Sequence, residues 1–270
     1  MTRRRINNIL RKEWRVMASD LNTLFLVTLL PFLIVGQAIL YIWLTERFGG
    51  TSILASPFFQ STLSKLTQAI PATTGLPPME QLQVILLTQF NFFLLLIPTM
   101  IAISMATYSI VDEKVSGSLE ALLATPVRTW ELLLGKALAG AIPALIMTWL
   151  CGGVFLLAVV GLGWGNLVGV VLTPAWYLSL FLLTPAVAML SFMLGVIGSS
   201  RAKDAKNAQN IVVIIILPVF FLIAAQVAGL VWFTPLLTLL LALVLCLVDY
   251  FVLRMAVALF QRESIVVKWR

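Results

Sequence analysis

Four long runs without a charged side chain constrain the fold of this sequence more than any other feature. A charge at the centre of a membrane helix costs about 2.5–3.5 kcal/mol on insertion scales, and one helical crossing takes about 20 residues. The runs cover 25, 31, 64 and 42 residues, at Leu21–Thr45, Gln81–Val111, Ala137–Ser200 and Asn207–Val248. They predict one, one, two and two crossings, which makes an all-α integral membrane protein with six transmembrane helices.

The two longest runs each contain a turn signal that divides them. In the first, four glycines between residues 161 and 169 precede Pro174, and in the second, Phe233 and Thr234 precede Pro235. The predicted spans are 21–45, 82–111, 137–160, 175–199, 211–231 and 236–257. Because 42 residues barely hold two crossings, residues 227–237 form either a turn or a short element that dips into the outer leaflet.

The positive charges indicate how these spans are oriented. Of the 18 Lys and Arg residues, sixteen fall on the side of the N-terminus, and only Arg47 and Lys65 fall on the other. Cytoplasmic loops carry the excess of positive charge, so both termini are predicted in the cytoplasm. The predicted organisation is a cytoplasmic segment over 1–20, one six-helix domain over 21–260 with an extracytoplasmic connection at 46–80, and a cytoplasmic tail over 261–270.

The first 20 residues have the pattern of an amphipathic helix. Its two opposite faces carry Leu10, Trp14, Met17 and Leu21 on one side and Asn8, Arg11, Lys12 and Arg15 on the other. This predicts an interfacial helix whose basic face meets anionic headgroups. A solvated basic leader is the simpler alternative.

The connection at 46–80 has a second amphipathic pattern. Ser56 and Pro57 are typical of a helix cap and first position. The following apolar face consists of Phe59, Leu63, Leu66 and Ile70, opposite Gln60, Ser64, Lys65 and Gln68. We predict a short helix that rests on the outer leaflet or closes a cavity, with a flexible loop as the alternative.

Residue types exclude several kinds of chemistry. The chain has no histidine, and its two cysteines, Cys151 and Cys246, lie inside apolar runs, which argues against a disulfide framework or a Cys-rich metal site. No phosphate-binding loop is present, since Gly135–Ala137 lacks both the upstream glycine and the hydroxyl residue. We therefore predict a chain that is not itself an enzyme and binds no cofactor, metal or nucleic acid.

The connection over 112–136 holds seven charged residues between two apolar runs. Val115, Leu119 and Leu122 recur at i, i+4 and i+7, which predicts one apolar face of a helix, while Thr125–Pro126 ends that helix. On another side stand Glu113, Ser116 and Glu120, and Gly117 permits close approach. A short cytoplasmic helix parallel to the membrane, over Asp112–Ala124, would display this ridge to a soluble partner.

At these residues the sequence resembles the type-2 ABC transporter permeases. The family pattern Glu-x-x-x-Gly-(Ser/Thr)-Leu-Glu-x-Leu-(Leu)-x-(Thr/Ser)-Pro is matched by Glu113, Gly117, Ser118, Leu119, Glu120, Leu122, Thr125 and Pro126. Glu131, Gly135 and Lys136 match its continuation, and the segment 11–14 resembles its N-terminal helix. The resemblance extends to six spans with both ends inside.

This resemblance implies an exporter permease subunit, expected in a prokaryotic inner (plasma) membrane. It implies pairing with a second permease, identical or related, and with two cytoplasmic ATPases that bind ATP and Mg. The helix over 112–124 would be the coupling helix between spans 2 and 3, seated in the ATPase through Glu113, Gly117, Leu119, Glu120, Leu122 and Pro126. Residues near that interface would be Arg11, Glu13, Arg201 and Asp204.

Polar side chains inside the spans are candidates for a translocation path, because they are costly in a membrane unless they have a role. The notable ones are Gln37, Gln89, Asn91, Gln226 and Asp249, and all of these except Gln226 are assigned to the possible path. Asp249 is the only carboxylate in an apolar run, which disfavours a proton- or cation-coupled secondary transporter or a channel, the alternative function. Membrane lipids, hydrophobic drugs, amphiphilic peptides, ions and glycans all stay open as substrates.

Overall fold

The protein is almost entirely helical. The computed structural model describes residues 2–49, 54–115, 117, 129–201, 216–226 and 231–259, and these ranges contain no β-strand. Five of their helices are long and apolar enough to cross a membrane: Thr23–Phe48, Pro78–Ile110, Trp130–Gly161, Pro174–Ser199 and Pro235–Ala258. The all-α membrane architecture predicted from the sequence is confirmed at this level.

The predicted fifth span is described only in part. Over 211–231, the structure describes helix at Ile216–Gln226, and residues 202–215 and 227–230 on either side of it lie outside the described ranges. Residues 231–234 are not helical. Five candidate spans are thus described where six are predicted.

The first helices run in the order of the sequence pattern. Helix α1 covers Thr2–Ser19 and α2 covers Leu21–Leu44, followed by a π-helical turn at Thr45–Gly49. Between them, the Asp20 carboxylate accepts the backbone N–H of Thr23 at 3.0 Å and so caps α2. Helix α3 covers Pro57–Ala69, and the Ser56 hydroxyl accepts the Phe59 N–H at 3.2 Å.

A proline accounts for a break in the helix of the second predicted span. Helix α4, Pro78–Phe93, and helix α5, Leu96–Val115, are separated by a break at 94–95, directly before Pro98. Proline has no N–H and its ring clashes with the carbonyl four residues back, here Leu94. The helix therefore breaks there, within a single candidate span over Pro78–Ile110 that matches the predicted span 82–111.

The second half of the chain starts with the longest helix. Helix α6 covers Thr129–Gly161 and begins eight residues before the predicted start at 137. Further helices are α7 over Gly165–Val171, α8 over Pro174–Leu178, a π turn over Ser179–Leu183, α9 over Thr184–Arg201, α10 over Ile216–Gln226 and α11 over Pro235–Leu259. Over its 33 residues, α6 extends about 50 Å and so joins opposite ends of the bundle.

Small residues hold the centre of the bundle together. A Cβ added at Gly195 on α9 would lie 2.8 Å from the Ala106 Cβ on α5, and one at Gly140 on α6 would lie 2.7 Å from the Phe192 ring. Such close approach is the usual way for membrane helices to pack. By contrast, α2 and α11 leave most of their apolar surface exposed, as helices that face lipid or another chain do.

Candidate functional site: a charge network and a polar cavity at opposite ends

Helix α1 packs along the first turns of α6 rather than standing apart from the bundle. A Cβ on Gly135 would lie 3.1 Å from Ile9, so the glycine lets the two helices meet. Farther along, the Trp14 indole N–H donates to the Ala139 carbonyl at 3.0 Å. That carbonyl lies four residues before Pro143, which has no N–H to offer it. The tryptophan therefore satisfies an acceptor that the proline leaves free, as apolar surroundings demand.

A second tryptophan has the same role in the bundle. The Thr184 N–H bonds to the Ser179 carbonyl, five residues back in the π turn, and so bypasses the Leu180 carbonyl. The Trp149 indole on α6 donates to that carbonyl at 3.1 Å. Both irregular backbone positions are therefore supported by an indole from another helix.

Buried Lys136 is the centre of a charge network that joins α1, α5 and α6. Its Nζ lies 2.8 Å from Glu113 Oε2 and 3.2 Å from Glu13 Oε1, and its side chain is only 1% exposed. Ser109 donates to Glu13 Oε2 at 2.9 Å and accepts a hydrogen bond from Lys136. Each buried charge thus has an opposite partner, which offsets the large cost of removing it from water.

Two cations at the rim extend the network. Lys12 Nζ lies 2.7 Å from Glu113 Oε1 and 3.8 Å from Glu13 Oε1, and Arg5 pairs with Glu131 at 3.3 Å. Partial burial lowers the pKa of Lys12, but its hydrogen bond to Glu113 and the two carboxylate charges raise it by more, so the pKa lies above its ordinary value. Lys12 and Lys136 together balance Glu13 and Glu113.

The predicted basic face of α1 needs a correction. Arg5, Ile9, Lys12 and Glu13, at i, i+4, i+7 and i+8, form the face that packs on α5 and α6. This face lies between the predicted apolar and basic faces. Lys12 therefore pairs with Glu113 rather than with lipid headgroups. Arg11 is exposed, whereas Glu13, predicted to face a soluble partner, is buried.

The predicted coupling helix over 112–124 also needs a correction at its start. Asp112 to Val115 are the last residues of α5, and Gly117 adopts a left-handed φ of +67°, which a right-handed helix does not contain. Glu113 therefore belongs to α5, where it is buried in the network. The remaining predicted coupling residues, Leu119, Glu120, Leu122 and Pro126, lie outside the described residues, as do Asp204 and the Arg201 side chain.

At the opposite end of the bundle, buried amides meet around a cavity of about 220 Å³. The side-chain amide of Gln89 donates to the backbone carbonyl of Gln226 at 3.2 Å. Asn91 and Gln226 both line the cavity and are at least 96% buried. Its walls come from the loop after α3, from α4, the end of α7, the start of α8, α10 and the segment before α11.

The other predicted path residues lie elsewhere. Gln37 is exposed on α2, and neither it nor Asp249 lines the cavity. Asp249 is half-buried on α11, while the Arg254 guanidinium lies over the Tyr250 ring, 4.7 Å from its centroid. The four candidates therefore do not form a single path within the described part of the chain.

Lys136, Ser109 and Trp14 were not predicted as network and packing residues. One signal was available in the sequence. Pro143 leaves the carbonyl of Ala139, four residues earlier, without a backbone donor, and the indole N–H of Trp14 supplies one. The cross-helix pairing of Lys136 had no local signal, because its partners are 123 and 23 positions away in the sequence. Within the described ranges, no three His, Cys, Asp or Glu side chains are placed to hold a metal ion.

Comparison with known proteins adds one result. A family model described as "ABC-2 family transporter protein" matches residues 7–257, nearly the whole chain. Neither the curated proteins nor the solved structures contain a match.

Proposed function

The chain belongs to the ABC-2 family of transporter proteins, and on that premise we propose that it is the permease subunit of an ATP-driven exporter. As a family member it is an integral membrane subunit of an ABC transporter, a class that pairs with ABC ATPases. The proposal adds outward transport, two cytoplasmic ATPases and a second permease, identical or related.

The observation that carries the proposal is the network around Lys136. Its members Glu113 and Lys136 stand at the end of α5 and the start of α6, on either side of the connection 116–128. Glu13 adds α1 to the same unit. A force on that connection would therefore move three helices together, which is the mechanical link that ATP-driven transport requires.

Contact with the ATPase is assigned to the connection itself. Leu119, Glu120, Leu122 and Pro126 would touch the partner, with Gly117 as the turn that leads into it. Glu13 and Glu113 would instead hold the helices behind this contact. Arg11, which is exposed on α1, and Arg201 with Asp204 would lie beside it.

The sequence supports a proposed orientation and energy source. With the predicted six spans, sixteen of 18 Lys and Arg residues fall on the α1 side, so we place α1 in the cytoplasmic interface. The family resemblance supports a prokaryotic inner membrane. The chain lacks a phosphate loop, so ATP and Mg would bind to the partner. Purified alone, the chain should not hydrolyse ATP.

Co-purification tests the partnership. The tagged chain is co-expressed with the ATPase from the adjacent reading frame, and ATP hydrolysis by the eluted complex is measured in nanodiscs. Glu120→Ala should release the ATPase, whereas Glu80→Ala, in the first turn of α4 at the opposite end, should retain it. Equal recovery of the ATPase with both variants would contradict the assigned contact.

Two glycine substitutions distinguish the role of the turn at Gly117 from the effect of an added side chain. Gly117→Ala places a side chain at φ +67°, while Gly153→Ala adds one to α6 where no atom lies within 4 Å and φ is not positive. We expect the first to weaken ATPase recovery and the second to leave it unchanged. The reverse order would show that the turn has no role in coupling.

A further inference from the structure

The cavity opposite α1 has polar atoms that nothing in the described protein satisfies. Asn91 Oδ1, Gln226 Oε1, Thr88 Oγ1 and Trp232 Nε1 have no hydrogen-bond partner among the described residues, and all four side chains line the cavity. Asn91 is 4% and Gln226 1% exposed. Buried polar groups almost always have partners, so four that converge on one space indicate a missing ligand.

The size of the space excludes a single trapped water. A water needs about 10–15 Å³ of such volume, whereas this cavity has about 220 Å³. Most of its lining is apolar, including Trp176 and Phe92, which stacks on Phe233 at 4.1 Å. An apolar cavity with a few convergent polar groups is the usual form of a small-molecule site.

The charge of the ligand follows from the lining. No Asp, Glu, Lys or Arg is among the described residues that line the cavity. A charged headgroup would therefore be buried without an opposite partner, at a high cost in apolar surroundings. The two amide oxygens accept hydrogen bonds, so they fit hydroxyl donors, and the aromatic walls fit an apolar body.

We propose that this cavity binds an uncharged, hydroxyl-bearing amphiphile that enters from the membrane leaflet opposite α1. Its hydroxyl groups donate to Asn91 and Gln226, its oxygens accept from Trp232 and Thr88, and its apolar part contacts the aromatic wall. The further statement that this amphiphile is the transported substrate rests on the proposed function. Binding itself requires neither ATP nor an ATPase.

Photolabelling of the purified chain in phosphatidylcholine nanodiscs tests the site. Two probes with the same diazirine-bearing acyl chain are compared, a monoacylglycerol and a lysophosphatidic acid, which differ in the charge of the headgroup. Labelled peptides are identified by mass spectrometry. We expect the monoacylglycerol to label segments 88–92 and 232–235, and the lysophosphatidic acid to leave them unlabelled.

Variants show whether the unpartnered amides are responsible. Asn91→Leu and Gln226→Leu should each abolish labelling by the monoacylglycerol, while Gln37→Leu, at an exposed amide on α2, should not. Folding is checked for each variant by protection of buried Cys151 from a thiol-reactive dye in a Cys246→Ala background.

Three results would overturn the proposal. Equal labelling by both probes would show that the site does not select against charge. Labelling that is spread over the exposed faces of α2 and α11 and is unchanged in Asn91→Leu would show that the probe contacts the protein only from the surrounding lipid. Absence of labelling would leave a cavity filled by water. Since no ATPase is present, none of these results bears on the proposed coupling.

Discussion

The two ends of the bundle differ in how they treat buried polar groups. At the α1 end, buried Lys136 lies within 3.2 Å of two carboxylates, whereas at the other end the side-chain oxygens of buried Asn91 and Gln226 have no partner in the described structure. A satisfied network loses energy when its helices separate, so it moves as one unit. Unpartnered groups lose nothing on rearrangement and gain when a ligand arrives. The first end therefore suits transmission of force, and the second suits binding.

Removing the central charge should have the largest effect on this comparison. Lys136→Met leaves Glu13 and Glu113 facing each other without a buried cation, and breaking a buried pair costs about 3–5 kcal/mol. The thermal midpoint of unfolding in detergent should fall strongly. It is measured through the reaction of Cys151 with a thiol-reactive dye in a Cys246→Ala background. Lys65→Met, at an exposed position on α3, is the control and should change little. Equal midpoints would mean that the network does not stabilise the α1 end.

Loss of the indole donor should have an intermediate effect. Trp14→Phe leaves the Ala139 carbonyl without a partner, which costs about 1–3 kcal/mol. Trp130→Phe, an exposed tryptophan on α6, is the matched control. In the Pro143→Ala background the restored backbone N–H supplies the missing donor, so Trp14→Phe should then cost less. The same dye assay on wild type, the two single variants and the double variant gives the coupling energy between Trp14 and Pro143. Additive effects of Trp14→Phe and Pro143→Ala would contradict the link between the two residues.

Lys12 at the rim should contribute less, since it is half-exposed and such pairs give up to about 1 kcal/mol. Its pKa is raised in the folded protein, so its contribution is fully present below the unfolded value of 10.5 and is lost as pH rises through the folded pKa. The difference in midpoint between wild type and Lys12→Met should therefore be constant from pH 6 to pH 9. A difference that decreases within that range would show that another group controls the rim.

The smallest effect on stability is expected at the cavity. Asn91→Leu removes a polar group that has no partner in the described structure, and such a replacement is nearly neutral or stabilising. Its midpoint should stay at or above that of wild type, in direct contrast to Lys136→Met. A large decrease would show that Asn91 is hydrogen-bonded within the protein and would remove the difference between the two ends.

Patterns with a local cause could be predicted from the sequence. The start of α3 at Ser56–Pro57 and the start of α11 at Pro235 follow from residues that act on their own neighbours. The start of α6 was placed at 137 rather than at Thr129, because Glu131 and Lys136 count as charges in the sequence. In the structure they are paired with Arg5 and Glu13, so the helix includes them.

Tertiary effects explain what could not be predicted at the two ends. Lys12 was assigned to headgroups because a helical wheel shows a face but not which helix packs against it. Gln89, Asn91 and Gln226 were found because amides are rare in apolar runs, but their meeting with Trp232 around one cavity has no local signal in the sequence. Gly117 was identified, although its left-handed turn interrupts the helix expected there.

Distances measured by electron spin resonance in the complex with its ATPase test the central claim most directly. One spin-label pair, Arg11→Cys with Trp130→Cys, spans α1 and α6 beside the network. The other, Ala72→Cys with Leu236→Cys, lies beside the cavity, and both are made in a Cys151→Ala, Cys246→Ala background. On addition of ATP and Mg, the account predicts an unchanged distance for the first pair and a changed one for the second. Separation of α1 from α6, with a fixed distance beside the cavity, would contradict it.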